Sequence, residues 1–442
     1  MSHTFKTGGI HPHGFKTASP EIQFQSLPMT ATVLLSQHIG APAAPIVGKG
    51  DKVTRGMLIA ESASYVSASV HAPISGIVNS IEDVVLPNGK NGRAIIIKAD
   101  ETEHESDICA RVEYWTKTVP EASSRDLSES LSSKEIQSRI LSAGIVGLGG
   151  ATFPSHVKIG LKPTQKADTL IINGCECEPY LMCDDALMCT WAPQTVEGVE
   201  LIMKAASIEK AVIAIEDNKP RAIEAMRSAL DSSHNISVMP VKAKYPQGGE
   251  KQLIEAVTGR RVGSGALPIS VGVIVHNVAT AFAVWQAVAT GQPLIERIVT
   301  ITGDIPVGQR CNYMAAIGTP LADFPFTLPE EEARVIVGGP MMGRTAVRLD
   351  TPVTKGTSGL TILSGKGRRP IQPCIRCGAC SDACPMGLDP YLLATYGRLR
   401  MFEEAAAADV ADCIECGSCS WSCPSSRPIL DFIRIAKQRS RK

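Results

Sequence analysis

Apolar residues change their rhythm several times along the chain. Between residues 30 and 100 they come in short runs cut by turns: Ala44-Pro45-Ile46-Val47 leads into Gly48-Lys49-Gly50-Asp51, and Gly56 opens Met57-Leu58-Ile59-Ala60. A later run from Val70 to Val78 carries Pro73 and Gly76. Short runs with glycine at the corners predict a small β-sandwich within residues 1–100. Residues 101–135 turn polar, with Ser123, Ser124, Ser128, Ser130, Ser132 and Ser133, and read as a linker with a short helix. From 136 to 295 strand-like runs (169–173, 211–215, 271–275) alternate with helical spacing (195–206, 220–230, 251–258). That alternation predicts an α/β layer structure. Residues 296–365 carry strand-like runs at 297–302 and 335–337 between glycine turns, and predict a small α+β domain. A basic linker, 366–373, leads into a last region, 366–442, where 391–408 reads as helix with Leu392, Leu393, Tyr396 and Leu399 on one side.

One stretch, 262–295, holds no Asp, Glu, Lys or Arg. Pro268, His276, Asn277, Gln286 and Gln292 interrupt it, so it predicts a buried strand followed by a buried helix and not a bilayer helix, which needs ~20 predominantly apolar residues. The 442 residues suffice for about three domains, and 44 basic residues cancel 44 acidic ones, leaving no overall charge to attract nucleic acid. The first residues lack an apolar signal core. With 14 cysteines, this predicts a reducing cytoplasm where thiolates serve metals. The basic residues Arg434, Lys437, Arg439, Arg441 and Lys442 predict a solvated, frayed tail, or a docking tail for anionic lipid or a membrane subunit.

Eight of the cysteines form two equal runs, Cys374, Cys377, Cys380, Cys384-Pro385 and Cys413, Cys416, Cys419, Cys423-Pro424, offset by 39 positions. The C-x2-C-x2-C-x3-C-P spacing is that of bacterial-type [4Fe–4S] ferredoxins. Zinc would favour two C-x2-C pairs without a third cysteine three positions on. Three thiolates of a run reach one cuboidal cluster and the fourth points to the other. Cluster one is therefore expected on Cys374, Cys377, Cys380 and Cys423, and cluster two on Cys413, Cys416, Cys419 and Cys384.

Upstream, four turns stand at strand-to-helix junctions. Gly147, Gly149 and Gly150 let backbone N–H groups approach a phosphate, with Lys158 one turn on. Asn173-Gly174-Cys175-Glu176-Cys177-Glu178-Pro179-Tyr180 follows a predicted strand, where ligands of α/β sheets sit. Tyr245-Pro246-Gln247-Gly248-Gly249-Glu250 and His276-Asn277-Val278-Ala279-Thr280 are two more such turns. Cys175, Cys177, Cys183 and Cys189 match no metal-site spacing and are expected to be buried thiols. A flavin is the usual converter between hydride and single-electron chemistry, and single electrons are what iron–sulfur clusters carry.

The motifs GLGGATFPSHVK, NGCECEPY, YPQGGEKQLIEAVTGR and HNVATA resemble the C subunit of the Rnf ion-translocating ferredoxin:NAD oxidoreductase, over nearly the whole chain. The middle region is also similar to the NADH-binding flavoprotein subunit of complex I. The resemblance implies a multidomain α/β and α+β protein. Its parts would be an N-terminal barrel-sandwich hybrid, an α/β FMN-binding domain (136–295), a β-grasp soluble-ligand-binding domain (296–365) and a C-terminal two-[4Fe–4S] ferredoxin-like domain (366–442). The first part resembles lipoyl carriers, but its hairpin 61–69 has no lysine, which implies a structural or docking module. FMN is implied near Gly147, Gly149, Gly150, Lys158, Asn173, Glu176, Gly248, Asn277 and Thr280, and NAD(H) near Phe153, Glu178 and Glu250, with Gly249 also in the cofactor-binding turn. Cys175 and Gly249 replace acidic residues of the complex I pattern.

The resemblance implies a peripheral subunit on the cytoplasmic side of a bacterial cell membrane. Such a subunit would exchange electrons between NAD(H), FMN and two [4Fe–4S] clusters, with partner subunits moving an ion. A cobalamin reductase of bacterial microcompartments resembles the same family, but there the barrel-sandwich module follows the clusters. A non-catalytic electron-wiring subunit is the other alternative.

Overall fold

The structure is a computed structural model and describes residues 3–86, 89–122, 130–162, 164–230, 235–366 and 369–440. Among these, a four-stranded sheet orders Thr30–Leu34, Asn91–Ala99, Gly76–Val85 and Lys52–Val53. A three-stranded sheet of Ala44–Pro45, Leu58–Glu61 and Val70–His71 closes over it. Val33, Val53, Ile59, Ile74, Val78, Ile95 and Ile97 fill the space between them. This is the sandwich that the short apolar runs predict.

The next unit is a four-stranded, all-parallel sheet in the order Ile236–Val241, Ala211–Glu216, Thr169–Gly174 and Val273–Asn277. Helices cover the sheet, so Ala211–Glu216 is buried at every residue, and residues 211–215 read as one apolar run. Helix Ala192–Ala206 lies so close to Val278–Trp285 that a Cβ on Gly198 would sit 2.0 Å from the Ala281 carbonyl oxygen. The uncharged stretch 262–295 resolves into the strand Val273–Asn277 and this second helix. No helix among the described residues is long and apolar enough to cross a membrane. Register places Asn277 beside Asn173 and Asn173 beside Ala214, so the carboxyl ends of the inner strands lie level.

A six-stranded mixed sheet comes next, ordered Ile22–Phe24, Cys311–Ala316, Glu296–Gly303, Gly359–Leu363, Arg334–Val337 and Arg344–Thr345. Its first strand comes from the N-terminal segment and pairs in parallel with Cys311–Ala316. The segment before that strand is a strap. It bridges His3 to Val241 and Ile10 to Tyr245, at the edge of the parallel sheet, before reaching the mixed one.

The polar stretch 101–135 departs from the linker expectation. Asp100 caps a helix, Glu101–Glu113, that runs on through Tyr114–Thr118 and Val119–Glu121; residues 123–129, with Ser123, Ser124 and Ser128, lie outside the described residues. Its inner face is partly charged, which hydropathy cannot recognise. Arg111 pairs with buried Glu296 at 2.5 Å, Arg55 pairs with the same carboxylate at 2.8 Å, and Trp115 Nε1 donates to it at 3.0 Å. These attractions, with burial opposing them, hold the Glu296 carboxyl below its ordinary pKa.

At the C-terminal end the expected helix 391–408 breaks at Arg400, which is left-handed (φ 61), giving Pro390–Leu399 and Phe402–Ala407. The frayed-tail expectation also fails. Residues Ile429–Ser440 form a helix that buries Ile429, Leu430, Ile433 and Ala436, and Glu415 pairs with Arg434 (3.2 Å) and Lys437 (3.4 Å). Gly367, Arg368, Arg441 and Lys442 lie outside the described residues.

Candidate flavin and cluster sites

The four turns converge at the carboxyl ends of the parallel strands. Gly147 N donates to Phe153 O at 2.9 Å and Thr152 N returns to Gly147 O at 3.1 Å, which closes the glycine loop. Leu148 N donates to the buried Thr280 Oγ1 at 2.9 Å, tying the loop to the helix Val278–Trp285. Asn277 caps that helix through Ala279 N (2.9 Å), and its Nδ2 donates to Asp184 Oδ2 (2.6 Å) and Asn173 O (3.3 Å). Asn173 Nδ2 donates to Gly248 O at 2.9 Å. Lys158 Nζ bonds Glu250 Oε1 (2.8 Å) and Val275 O (3.1 Å).

These residues fit a bound flavin phosphate and ring. A Cβ on Gly149 would sit 3.3 Å from Asn277 Cβ, one on Gly248 would sit 3.3 Å from Cys177 Sγ, and Gly150 (φ 102) faces open space. Gly249 stands at the N-terminus of the helix Glu250–Thr258, so two helix N-termini meet at the turns. The fully buried Gln247 leaves its Nε2 without a partner among the described residues.

Two of the acidic residues are already engaged. Glu176 accepts from Asp184 N (2.8 Å) and Asp185 N (3.2 Å). Glu178 accepts from Met341 N (3.2 Å) and Met342 N (2.7 Å), in the mixed-sheet unit, so it spans two units. Burial pushes Glu178 up to about 7; burial and then the Glu176 charge do the same for Asp184. Burial raises the thiols of Cys175, Cys183 and Cys189, and takes Cys177 up to about 12, so these cysteines stay protonated. Glu176, Cys183 and Asp184 bring one ligand atom each within 4.8 Å of one another, but both carboxylates already accept from N–H groups. Asp184, Lys16 and Lys219 carry no motif signal, and only the fold brings them to the site.

The duplicated run repeats in space. Arg376 and Glu415 share φ 56, Gly378 and Gly417 share φ 79, and short helices follow at Ala379–Asp382 and Ser418–Trp421. Arg376 N lies 3.4 Å from Cys374 Sγ, and Glu415 N lies 3.4 Å from Cys413 Sγ. One cavity of about 280 Å³ is lined by Cys374, Cys377, Cys380 and Cys423; a smaller one is lined by Cys384, Cys413, Cys416 and Cys419. Each cavity thus holds three thiols of one run and the fourth of the other, a donor set that suits a [4Fe–4S] cluster.

The two cavities differ in surroundings. Cys374 and Cys377 are exposed, whereas Cys384, Cys416 and Cys419 are buried. The buried set abuts the parallel-sheet unit: Tyr245 Oη donates to Cys416 O at 2.7 Å, and Gln252 Nε2 to Pro385 O at 3.3 Å. The strap joins them, with Gly9 N donating to Ala383 O at 3.0 Å.

The RnfC barrel sandwich hybrid domain matches residues 3–102, the Nuo51 FMN-binding domain residues 140–286 and the 4Fe-4S dicluster domain residues 368–424. The C subunit of the proton-translocating ferredoxin:NAD(+) oxidoreductase complex of Clostridium ljungdahlii is 44% identical, over 98% of this chain and 93% of its own. The Na(+)-translocating counterpart of Acetobacterium woodii is 41% identical, over 98% and 96%. The C subunit of an ion-translocating oxidoreductase complex of Rhodobacter capsulatus is 41% identical, over 87% and 73%. A solved NAD+-reducing [NiFe]-hydrogenase shares the fold at TM-score 0.51 and 18% identity, over 70% of this chain and 65% of that one. With a barrel-sandwich module ahead of an FMN-binding and a dicluster domain, and relatives alike over almost its whole length, the chain belongs to the family of C subunits of ion-translocating ferredoxin:NAD(+) oxidoreductase (Rnf) complexes.

Proposed function

We propose that this subunit exchanges electrons between NAD(H), FMN and two [4Fe–4S] clusters, on the cytoplasmic face of a membrane complex whose other subunits carry the ion. Gly147, Gly149, Gly150, Lys158, Asn173, Glu176, Gly248, Asn277 and Thr280 would hold FMN. Phe153, Gly249 and Glu250 would face the nicotinamide dinucleotide. Glu178 would act on that site through the Met341–Met342 backbone it binds. A bound flavin supplies the conversion between two-electron and one-electron chemistry. The protein's part is position and exclusion of water: glycines admit the ligand, helix N-termini favour its phosphate, and the buried thiols nearby stay protonated.

The observation that carries this reading is the unequal seating of the two cysteine sets. The set of Cys413, Cys416, Cys419 and Cys384 is bolted to the flavin unit through Tyr245 and Gln252 and forms the inner end of the wire. The set of Cys374, Cys377, Cys380 and Cys423 opens to solvent and forms the outer end, where a partner subunit is met. Arg376, Arg398 and Arg427 line that outer cavity against one acidic residue, Asp389, which suits an acidic electron partner. The test is an anaerobic titration of cluster-reconstituted protein with NADH, followed by flavin and cluster absorbance. Stoichiometric FMN and bleaching of both clusters are expected. Protein that lacks FMN and does not bleach is a wiring subunit only.

A further inference from the structure

The N-terminal strap ends on the acidic loop of the flavin site. Lys16 Nζ donates to three backbone carbonyls of that loop: Glu176 O at 2.9 Å, Glu178 O at 2.7 Å and Leu181 O at 2.5 Å. An ammonium carries three N–H donors, so this one is fully used. Just before it on the strap, Gly14 O accepts from Tyr180 N at 2.7 Å, and the Phe15 ring stacks on Tyr180 at 4.8 Å. A second ammonium, Lys219, takes Cys175 O at 2.7 Å while pairing with Glu216 at 3.0 Å. Four carbonyls of the segment 175–181 therefore turn onto two lysines.

The loop needs such a hold. Glu176 (φ 46) and Tyr180 (φ 73) are left-handed without being glycine, and such residues persist only where their surroundings over-determine them. With the carbonyls turned to Lys16, the side chains leave the other way: Glu176 toward Asp184 N and Asp185 N, Glu178 toward Met341 N and Met342 N. Neither motif spacing nor hydropathy marks Lys16, which lies 160 positions before Glu176.

We infer that Lys16 is a positioning residue for the redox site: its three-carbonyl cap shapes the 175–181 loop, and its charge lies half-buried against that loop. This rests on the flavin reading above. The charge should favour the more negative, reduced flavin and so raise its potential.

The test compares Lys16→Met and Lys16→Arg with wild type in the full chain, clusters reconstituted. Three readouts are taken: hydrogen exchange of peptides covering 175–182 in flavin-free protein, the FMN dissociation constant, and the flavin midpoint potential. For Lys16→Met the expected result is faster exchange confined to that loop and FMN affinity down at least about tenfold. Its potential should be more negative, with cluster spectra unchanged. Lys16→Arg, which keeps the charge but not the tetrahedral cap, should retain the potential while losing part of the affinity. Unchanged affinity and potential in Lys16→Met overturn the inference. So does an equal loss of potential in both variants, because charge is then not the cause. If Lys16→Met loses its clusters as well, Lys16→Arg decides: a wild-type potential with weakened FMN supports the inference, and wild-type values for both overturn it. Wild-type protein that binds no FMN would sink the functional reading instead, leaving the loop-exchange result to judge Lys16.

Discussion

The two cysteine runs are near copies that live in different surroundings. Their spacing, their left-handed residues and their N–H contacts to sulfur repeat with the 39-residue offset. Yet Cys374 and Cys377 lie open while Cys416 and Cys419 are buried, with Cys416 packed in one apolar cluster with Ile10, Tyr245 and Ala383. The backbone geometry around the first three thiols of each run is thus a local property, set by a short stretch of chain. Solvent access and neighbouring dipoles, which tune cluster potentials, are supplied by segments far away in sequence.

The largest test of this contrast is a reciprocal pair of ligand changes. Cys384→Ser should remove the cluster held by Cys413, Cys416 and Cys419, and Cys423→Ser the cluster held by Cys374, Cys377 and Cys380, each leaving the other visible by EPR. Loss of the cluster of the mutated run itself would break the crossed assignment. A sharper and smaller effect concerns the strap. Gly8 has φ 60, and a Cβ there would lie 2.3 Å from Cys384 O. Gly8→Val should cost about 1–3 kcal/mol and loosen only the inner set. In denaturant melts followed by cluster absorbance, its inner cluster should bleach first; bleaching of both at wild-type midpoints would remove the strap from that site.

The smallest expected effect is a pH dependence at the bridge between units. Burial holds Glu178 at about 7 in the fold, above its ordinary value. A raised carboxyl favours the protonated fold, so its contribution is complete below the unfolded pKa and is lost as pH rises through about 7. Relative to Glu178→Gln, which cannot ionise, wild type should therefore lose on the order of 1 kcal/mol between about pH 5 and about pH 8. Thermal midpoints of the two proteins across that range check the sign, and a constant gap would show that Glu178 does not titrate there.

Much of the plan was legible in the chain because it is local. The sandwich followed from apolar runs and corners, the parallel sheet from strands such as 211–215 that are apolar throughout, and the candidate turns from glycines and asparagines at strand ends. The misread segments share one cause. The helix Glu101–Glu113 buries Asp107 and Arg111, and the tail helix carries Arg434 and Lys437, so both look solvated to a hydropathy scale. Glu296 answers Arg111, the Ser75 N–H and hydroxyl answer Asp107, and Glu415 answers Arg434 and Lys437, all of them from outside the helix concerned.

The sequence by itself determined the spacing of the thiols within each run and the placement of glycines at the strand ends, since both are local properties of a few residues. Only the tertiary structure decided which cysteine set faces the flavin unit, that residues 3–16 strap that unit to it, and that Glu178 spans two units. Those outcomes depend on burial and on partners distant in sequence, and a buried charge becomes tolerable only when the fold delivers its counter-charge or its carbonyls.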